Sequence, residues 1–100
     1  MRKYQKQICL FLLFCTATIT ASAQYEAFEA KTYLSGQGDS LHYRLLSPLQ
    51  LKEGEKYPLV LFLHGAGERG SDNRSQLTHG ARMFTNPVNR EAYPRFALFP

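Results

Sequence analysis

The sequence predicts an α/β fold in which an antiparallel hairpin leads into a parallel sheet covered by helices. Three observations predict it. Two segments with period-two alternation flank a turn cluster, GQGDS, at residues 36–40. A later segment, residues 59–63, is apolar at every position rather than at every second one, which is typical of strands buried on both faces. A short helical pattern and another apolar run follow it.

The predicted hairpin comes first, over residues 25–47. In its first segment the even-numbered positions Phe28, Ala30, Thr32 and Leu34 predict a half-buried strand. In its second segment the alternating positions are Leu41, Tyr43 and Leu45, and Ser47-Pro48 ends the pattern. Because a turn cluster separates the two segments, we expect them to pair antiparallel.

The elements after the hairpin are predicted from their periodicity. Residues 49–58 are charged and centred on Gly54, so they form a surface connection to the strand at 59–63. Apolar residues then recur at helical spacing, at Leu77, Ala81 and Phe84, until Asn86-Pro87 ends the pattern. The run FALF at 96–99 predicts the next strand.

Residues 1–23 have the organisation of a secretory signal peptide. Arg2, Lys3 and Lys6 precede an apolar stretch at residues 8–20, and Ala21-Ser22-Ala23 supplies an A-x-A cleavage site. The apolar stretch is shorter than a membrane span of roughly 17–25 residues, and no stop-transfer pattern follows, which disfavours an uncleaved anchor. We expect cleavage after Ala23 and a secreted or periplasmic protein.

The charge balance, the cysteines and the histidines indicate which partners and metal sites are not expected. Three of the 12 basic side chains lie in the leader, which leaves nine basic against eight acidic side chains and a net charge of +1 after cleavage. This balance gives no reason to expect nucleic acid or a membrane surface as partner. Both cysteines, Cys9 and Cys15, lie in the leader, so no disulfide or thiolate metal site is expected after it. The three histidines have no close spacing, so we expect no metal.

The last segment, RFALFP, stays apolar up to Pro100. We therefore expect residues 24–100 to be the N-terminal part of a larger domain that is truncated at the C-terminus.

The glycine-rich segment GAGERG, residues 65–70, spells G-x-G-x-x-G directly after the predicted strand. A dinucleotide site requires a helix that begins within the motif and an acid that ends the next strand. Here residues 71–73 are turn-forming, and the acid at the right distance, Glu91, precedes the next strand. Stabilisation of an oxyanion by backbone N–H groups after a buried strand fits better. Glycine suits that role because it adopts positive φ and admits close approach of a substrate.

The segment YPLVLFLHGAGERGSDN, residues 57–73, resembles the oxyanion-loop segment of α/β-hydrolase esterases. It is most similar to secreted bacterial carboxylesterases of the phospholipase/carboxylesterase and dienelactone-hydrolase-like group, some of which are named predicted peptidases. The resemblance covers about residues 41–100. It implies a third sheet strand at 59–63, an oxyanion loop at 64–67, and backbone donors at Gly65, Ala66 and Gly67.

The resemblance also implies what this chain does not contain. The second oxyanion donor belongs to the residue after the nucleophile, and no G-x-S-x-G elbow is present in these 100 residues. The serine, acid and histidine of the triad would follow Pro100. We therefore expect the 100-residue chain alone to be inactive. No cofactor is implied, since serine, base and backbone dipoles suffice.

Five residues around the loop are candidates for its support. We expect His64 to be structural, because the histidine base comes last in this fold, and its ring to hold the loop by hydrogen bonds. Glu68 and Arg69 form either a solvated ion pair or a brace for the loop or substrate entrance, and bracing is the favoured interpretation. Asp72 or Asn73 is expected to cap the following helix. His42 and His79 are interpreted as surface or packing residues.

The predicted function is an exported serine hydrolase that cleaves small-molecule carboxylic esters. One alternative is a serine peptidase of the prolyl-oligopeptidase type, which shares the fold and acts on peptides. Another is a non-catalytic exported binding protein. The sequence makes no prediction about oligomeric state.

Overall fold

A computed structural model describes residues 25–100; the predicted signal peptide lies outside the described residues. The strands are β1 (Glu29–Leu34), β2 (Ser40–Leu46), β3 (Leu59–Leu61) and β4 (Phe96–Phe99). The helices are α1 (Ala81–Thr85) and α2 (Pro87–Ala92), and two 3₁₀ turns, Ala66–Glu68 and Ser75–Leu77, precede them. None of the helices in the described part combines the length and apolar character that crossing a membrane requires.

The four strands form one mixed sheet in the order β1-β2-β4-β3. β1 and β2 pair antiparallel as the predicted hairpin, and Gly38 in its turn has φ 93°. β4 pairs antiparallel with β2 and parallel with β3. The chain from β3 to β4 is a crossover through the helices, as parallel pairing requires. The predicted fold class, a hairpin leading into a parallel α/β unit, is confirmed.

The core lies between one face of the sheet and the helical segment. Its buried residues are Phe28, Leu46, Leu77, Ala81, Phe84, Ala97 and Phe99. The Phe99 ring is central to it: it stacks on Phe62 at a centroid distance of 4.7 Å and meets Phe28 and Phe84 edge-on at 5.0 and 5.6 Å. Burial of one such side chain contributes about 1.5–3 kcal/mol to folding.

The hairpin buries a different set of residues from the one predicted. Of the even-numbered positions in its first segment only Phe28 is buried, while Ala30, Thr32 and Leu34 are exposed. In β2 the covered face carries Arg44 and Leu46, whereas Leu41 is exposed. In the register of β2 with β4, Arg44 lies opposite Phe99 and Leu46 lies opposite Ala97. Pairing with β4, rather than the local alternation, therefore decides which face of β2 is covered.

β3 is shorter and more exposed than predicted. The strand ends at Leu61, although Phe62 N still donates to Leu98 O at 2.9 Å. Val60 and Phe62 pack against the core, but Leu59, Leu61 and Leu63 are 61%, 58% and 69% exposed. The prediction of burial on both faces is not met within residues 25–100, because no described element packs on the second face.

The predicted helix is divided into shorter elements. Leu77, Ala81 and Phe84 are buried as expected, but a turn separates Leu77 from α1. Gly80, at φ 81°, makes that turn, and a Cβ there would come within 2.5 Å of the Phe62 ring. Gly80 is thus required both by its backbone conformation and by its close approach to β3.

The sequence prediction missed helix α2. Asn86 and Pro87 were predicted to end a helix, and they also begin the next one. Asn86 Oδ1 accepts from Val88 N at 3.0 Å and Asn89 N at 3.3 Å, and Pro87 occupies the first helical position.

Candidate active site

The candidate site is the loop between β3 and α1. It begins at the carboxyl end of β3, next to the carboxyl end of the parallel strand β4. In sheets with parallel strands, ligands bind outside these ends. The topology therefore places His64 and the glycine-rich segment at the edge where a substrate is expected.

The backbone N–H groups of Gly65, Ala66 and Gly67 donate to no group in the described part of the chain. All three residues are exposed and lead into the first 3₁₀ turn, whose closing hydrogen bond runs from Glu68 N to Gly65 O at 3.2 Å. The first N–H groups of a helical turn have no partner within the turn. These three groups are therefore open to an acceptor outside the loop.

The glycines of this loop do not have the positive φ that the sequence suggested. Gly65 is extended, with φ −83° and ψ 176°, and positive φ among the described glycines occurs at Gly38, Gly54 and Gly80. The constraint at Gly65 is space, since a Cβ there would lie 3.0 Å from Glu68 Oε2. Gly67 has no heavy atom within 4 Å of the same position. Of these two glycines, only Gly65 therefore has a close neighbour within the described chain at the position of a side chain.

His64 bonds the loop backbone. Its Nδ1 lies 2.7 Å from Gly65 O, and because a carbonyl only accepts, the ring proton is on Nδ1 in this contact. Gly65 O thus accepts from both His64 and Glu68 N. In a trans peptide the N–H points away from the C=O, so these two bonds direct the Ala66 N–H to the opposite side.

Glu68 and Arg69 do not pair with each other. Glu68 Oε1 lies 3.0 Å from His79 Nε2, and the Glu68 side chain is only 16% exposed, against 71% for His79. Arg69 is exposed, and within residues 25–100 its side chain makes no hydrogen bond or ion pair. His79, interpreted from the sequence as a surface or packing residue, is thus the partner of Glu68.

The Asp72 carboxylate accepts from backbone N–H groups at the start of the second 3₁₀ turn, whose N-cap residue is Arg74. Its Oδ1 accepts from Arg74 N and Ser75 N, both at 3.0 Å, and its Oδ2 accepts from Ser75 Oγ at 2.8 Å. The bonds from Ser75 and the Arg74 N–H favour the charged carboxylate, so the pKa of Asp72 lies below its ordinary value. The turn after the glycine segment is thus fixed by one carboxylate.

Asn73 joins the loop to the hairpin. Its carbonyl accepts from Arg44 Nε at 2.7 Å, its Nδ2 donates to Tyr43 O at 3.3 Å, and its Oδ1 accepts from the buried Gln76 side chain. Arg44 also donates to Phe28 O at 2.9 Å. The sequence reasoning missed Arg44 and Gln76. Arg44 lies two residues before Leu46 and shares its face, but only pairing with β4 shows that this face is covered.

A cleft of about 250 Å³ borders the loop, with His42, His64, Glu68 and Pro100 among its lining residues. His42 bonds Thr32 Oγ1 at 2.9 Å. A larger cleft, about 450 Å³, lies between residues 49–57 and the end of α2, and it contains none of the predicted site residues. The smaller cleft is the better candidate because it lies at the carboxyl ends of the parallel strands. No group of three metal-ligating side chains occurs in residues 25–100.

Among solved structures, that of a thermostable esterase is similar to this chain, with a TM-score of 0.69 and 40% sequence identity. The match covers 77% of this chain and 21% of the esterase chain, so this chain spans about a fifth of the esterase's length. No protein-family model matches the sequence, and no curated protein matches it significantly.

Proposed function

Because this chain has the fold of the N-terminal portion of an α/β-hydrolase, the class to which the similar esterase belongs, we propose that the full-length protein is a serine hydrolase of carboxylic esters. The described residues supply the oxyanion loop, and the nucleophile belongs to sequence outside this chain. The substrate is a small-molecule ester.

The chemistry proposed for the loop is stabilisation of a tetrahedral intermediate. When a serine oxygen attacks the ester carbonyl, the C=O π bond breaks and negative charge develops on the carbonyl oxygen. Backbone N–H groups of Gly65, Ala66 or Gly67 donate to that oxygen. The base of the triad takes the proton of the serine hydroxyl and returns it to the leaving oxygen as the C–O bond breaks. The alcohol therefore departs and an acyl-serine remains, which water hydrolyses to the carboxylic acid and free serine. Loss of one such donor costs about 10²- to 10³-fold in kcat in other enzymes.

The observation that carries this proposal is the set of unpaired amides at the end of β3. Gly65 O is held by two hydrogen bonds, and the N–H groups of Gly65, Ala66 and Gly67 have no partner within the described chain. Exposed N–H groups at the carboxyl end of a parallel strand suit an anionic acceptor. The match to an esterase favours esters over peptides as substrates.

The test is hydrolysis of p-nitrophenyl esters with short acyl chains by the full-length protein. We expect release of p-nitrophenol and covalent labelling by a fluorophosphonate probe that stops turnover. Faster turnover of matched peptide amides would replace this proposal with the peptidase alternative. Absence of both turnover and labelling would favour a non-catalytic binding protein.

Export is part of the proposal, supported by the basic, apolar and A-x-A segments of residues 1–23. We expect the purified extracytoplasmic protein to begin at Gln24 on N-terminal sequencing. A protein recovered with residues 1–23 intact would contradict cleavage after Ala23.

A further inference from the structure

The Glu68 carboxylate lies between the glycine loop and the turn before α1. One oxygen, Oε1, contacts His79 Nε2 at 3.0 Å. The other, Oε2, would lie 3.0 Å from a Cβ added to Gly65, so it borders the space that a side chain at position 65 would fill. Its side chain is 16% exposed, although its neighbours Gly67 and Arg69 are exposed. The carboxylate is thus packed against the loop rather than extended into solvent.

The residue after His79, Gly80, packs its backbone against the core. The backbone at Gly80 approaches Phe62 so closely that a Cβ would come within 2.5 Å of the ring. Phe62 stacks on the buried Phe99 at 4.7 Å. Position 79 is therefore held against the end of β3, and the Glu68–His79 contact links the loop back to the strand from which it departs.

Glu68 also closes the loop through its backbone, since its N–H donates to Gly65 O at 3.2 Å. We propose that Glu68, held by His79, is a positioning residue that fixes the Gly65–Gly67 amides for oxyanion stabilisation. This inference rests on the proposed function. A misplacement of about 1 Å in a catalytic group can cost 10²-fold in rate, so loss of this contact affects the chemical step.

The first test compares kcat and KM of full-length variants on a p-nitrophenyl ester. Glu68→Ala is expected to lower kcat at least about tenfold with KM within about twofold, because the amides act on the transition state. Glu68→Gln retains an oxygen that accepts from His79 and is expected to keep most of the activity. Glu53→Ala, which removes an exposed carboxylate from the connection that precedes β3, is the matched control. An unchanged kcat in Glu68→Ala would overturn the inference.

The second test is a double-mutant cycle with Gly65→Ala. With Glu68 present, the methyl added at position 65 would lie 3.0 Å from the carboxylate and is expected to displace it, which should lower activity. In the Glu68→Ala background that space is free. We expect the double variant to have a kcat within about threefold of Glu68→Ala alone, the non-additivity of residues in contact. Independent, multiplying losses would contradict the proposed contact.

A third measurement does not depend on activity. ¹⁵N order parameters of the Gly65, Ala66 and Gly67 amides should be near 0.85 in the wild type and below about 0.6 in Glu68→Ala. Glu68→Gln should stay close to the wild type. If the wild-type protein hydrolyses no ester, the proposed function fails while these values still decide whether Glu68 orders the loop. Unchanged order parameters in Glu68→Ala would overturn the positioning role.

Discussion

At the residue scale, the path of the loop after β3 is determined by single side chains that bond backbone groups. Asn73 has φ 51°, a left-handed conformation that asparagine tolerates better than most residues. Its carbonyl and side chain bond Arg44, Tyr43 and Gln76. Directly before it, the Asp72 carboxylate accepts from two N–H groups at the start of the next 3₁₀ turn. Two adjacent residues therefore set the direction of the chain as it leaves the candidate site.

The Asp72 carboxylate predicts a pH-dependent contribution to stability. Because the pKa of Asp72 is lowered in the folded protein, its contribution is fully present above the pKa of aspartate in the unfolded chain and is lost as pH falls through the lower folded pKa. Asp72→Ala should therefore lower the Tm of the full-length protein at neutral pH, and this difference should shrink in acid. Thermal melts of both proteins across pH measure it. A difference that grows as pH falls would contradict the assigned bonds.

At the element scale, α2 depends on one cap. It has six residues, too few to be stable without capping or tertiary contacts. Asn86 satisfies two of its first N–H groups, and Arg90 on the helix donates to Ser47 O at 2.9 Å, which ties α2 to the segment after β2. The cap and the Arg90 bond thus hold α2, which buries none of its own residues.

We predict that Asn86→Ala lowers the free energy of unfolding by about 1 kcal/mol, the usual cost of a lost N-cap side chain. Asn86→Asp is the matched control, since aspartate caps as well as asparagine. Its free energy of unfolding should differ from that of the wild type by much less than the loss in Asn86→Ala. Urea unfolding of the full-length variants is the measurement. Equal midpoints for Asn86→Ala and the wild type would show that packing alone holds the helix.

The elements could be predicted from the sequence because hydrophobic period is a local property. The helical spacing of Leu77, Ala81 and Phe84 predicted the buried face of the helical segment. The apolar run at residues 59–63 predicted the strand before the loop. The covered face of β2 could not be predicted locally, because it depends on the pairing of Arg44 with Phe99 across the sheet. The position of the candidate loop followed from the strand end. The partner of Glu68 did not, because the turn at Gly80 determines where His79 lies.

At the scale of the whole molecule, the sheet has two unlike faces. One packs on the helices, and the other exposes an apolar row formed by Leu59, Leu61 and Leu63, with Leu45 and Leu98 half-buried beside it. Contiguous exposed apolar surface of this kind promotes association or aggregation in a soluble chain. Within the described residues, the helical segment therefore covers one face of the sheet, and the other face stays exposed.

We predict that residues 24–100 expressed alone aggregate or bind the dye ANS strongly, because the row at Leu59, Leu61 and Leu63 meets water. Leu61→Lys combined with Leu63→Lys should raise the soluble fraction of this segment by adding charge to the row. Light scattering and ANS fluorescence report both effects. A monomeric segment with a sharp cooperative unfolding transition would contradict the prediction.

The strand order also has a consequence for synthesis on the ribosome. β4 separates β2 from β3, so β3 acquires its neighbour only after residues 96–99 have emerged. The hairpin can form early. β3 stays unpaired while the residues between β3 and the end of β4 are synthesised, which takes roughly several seconds at 5–20 residues per second. During that interval the core-facing side chains Val60 and Phe62 are accessible to chaperones, and nascent-chain crosslinking at Phe62 should decline once β4 supplies Phe99 as its stacking partner.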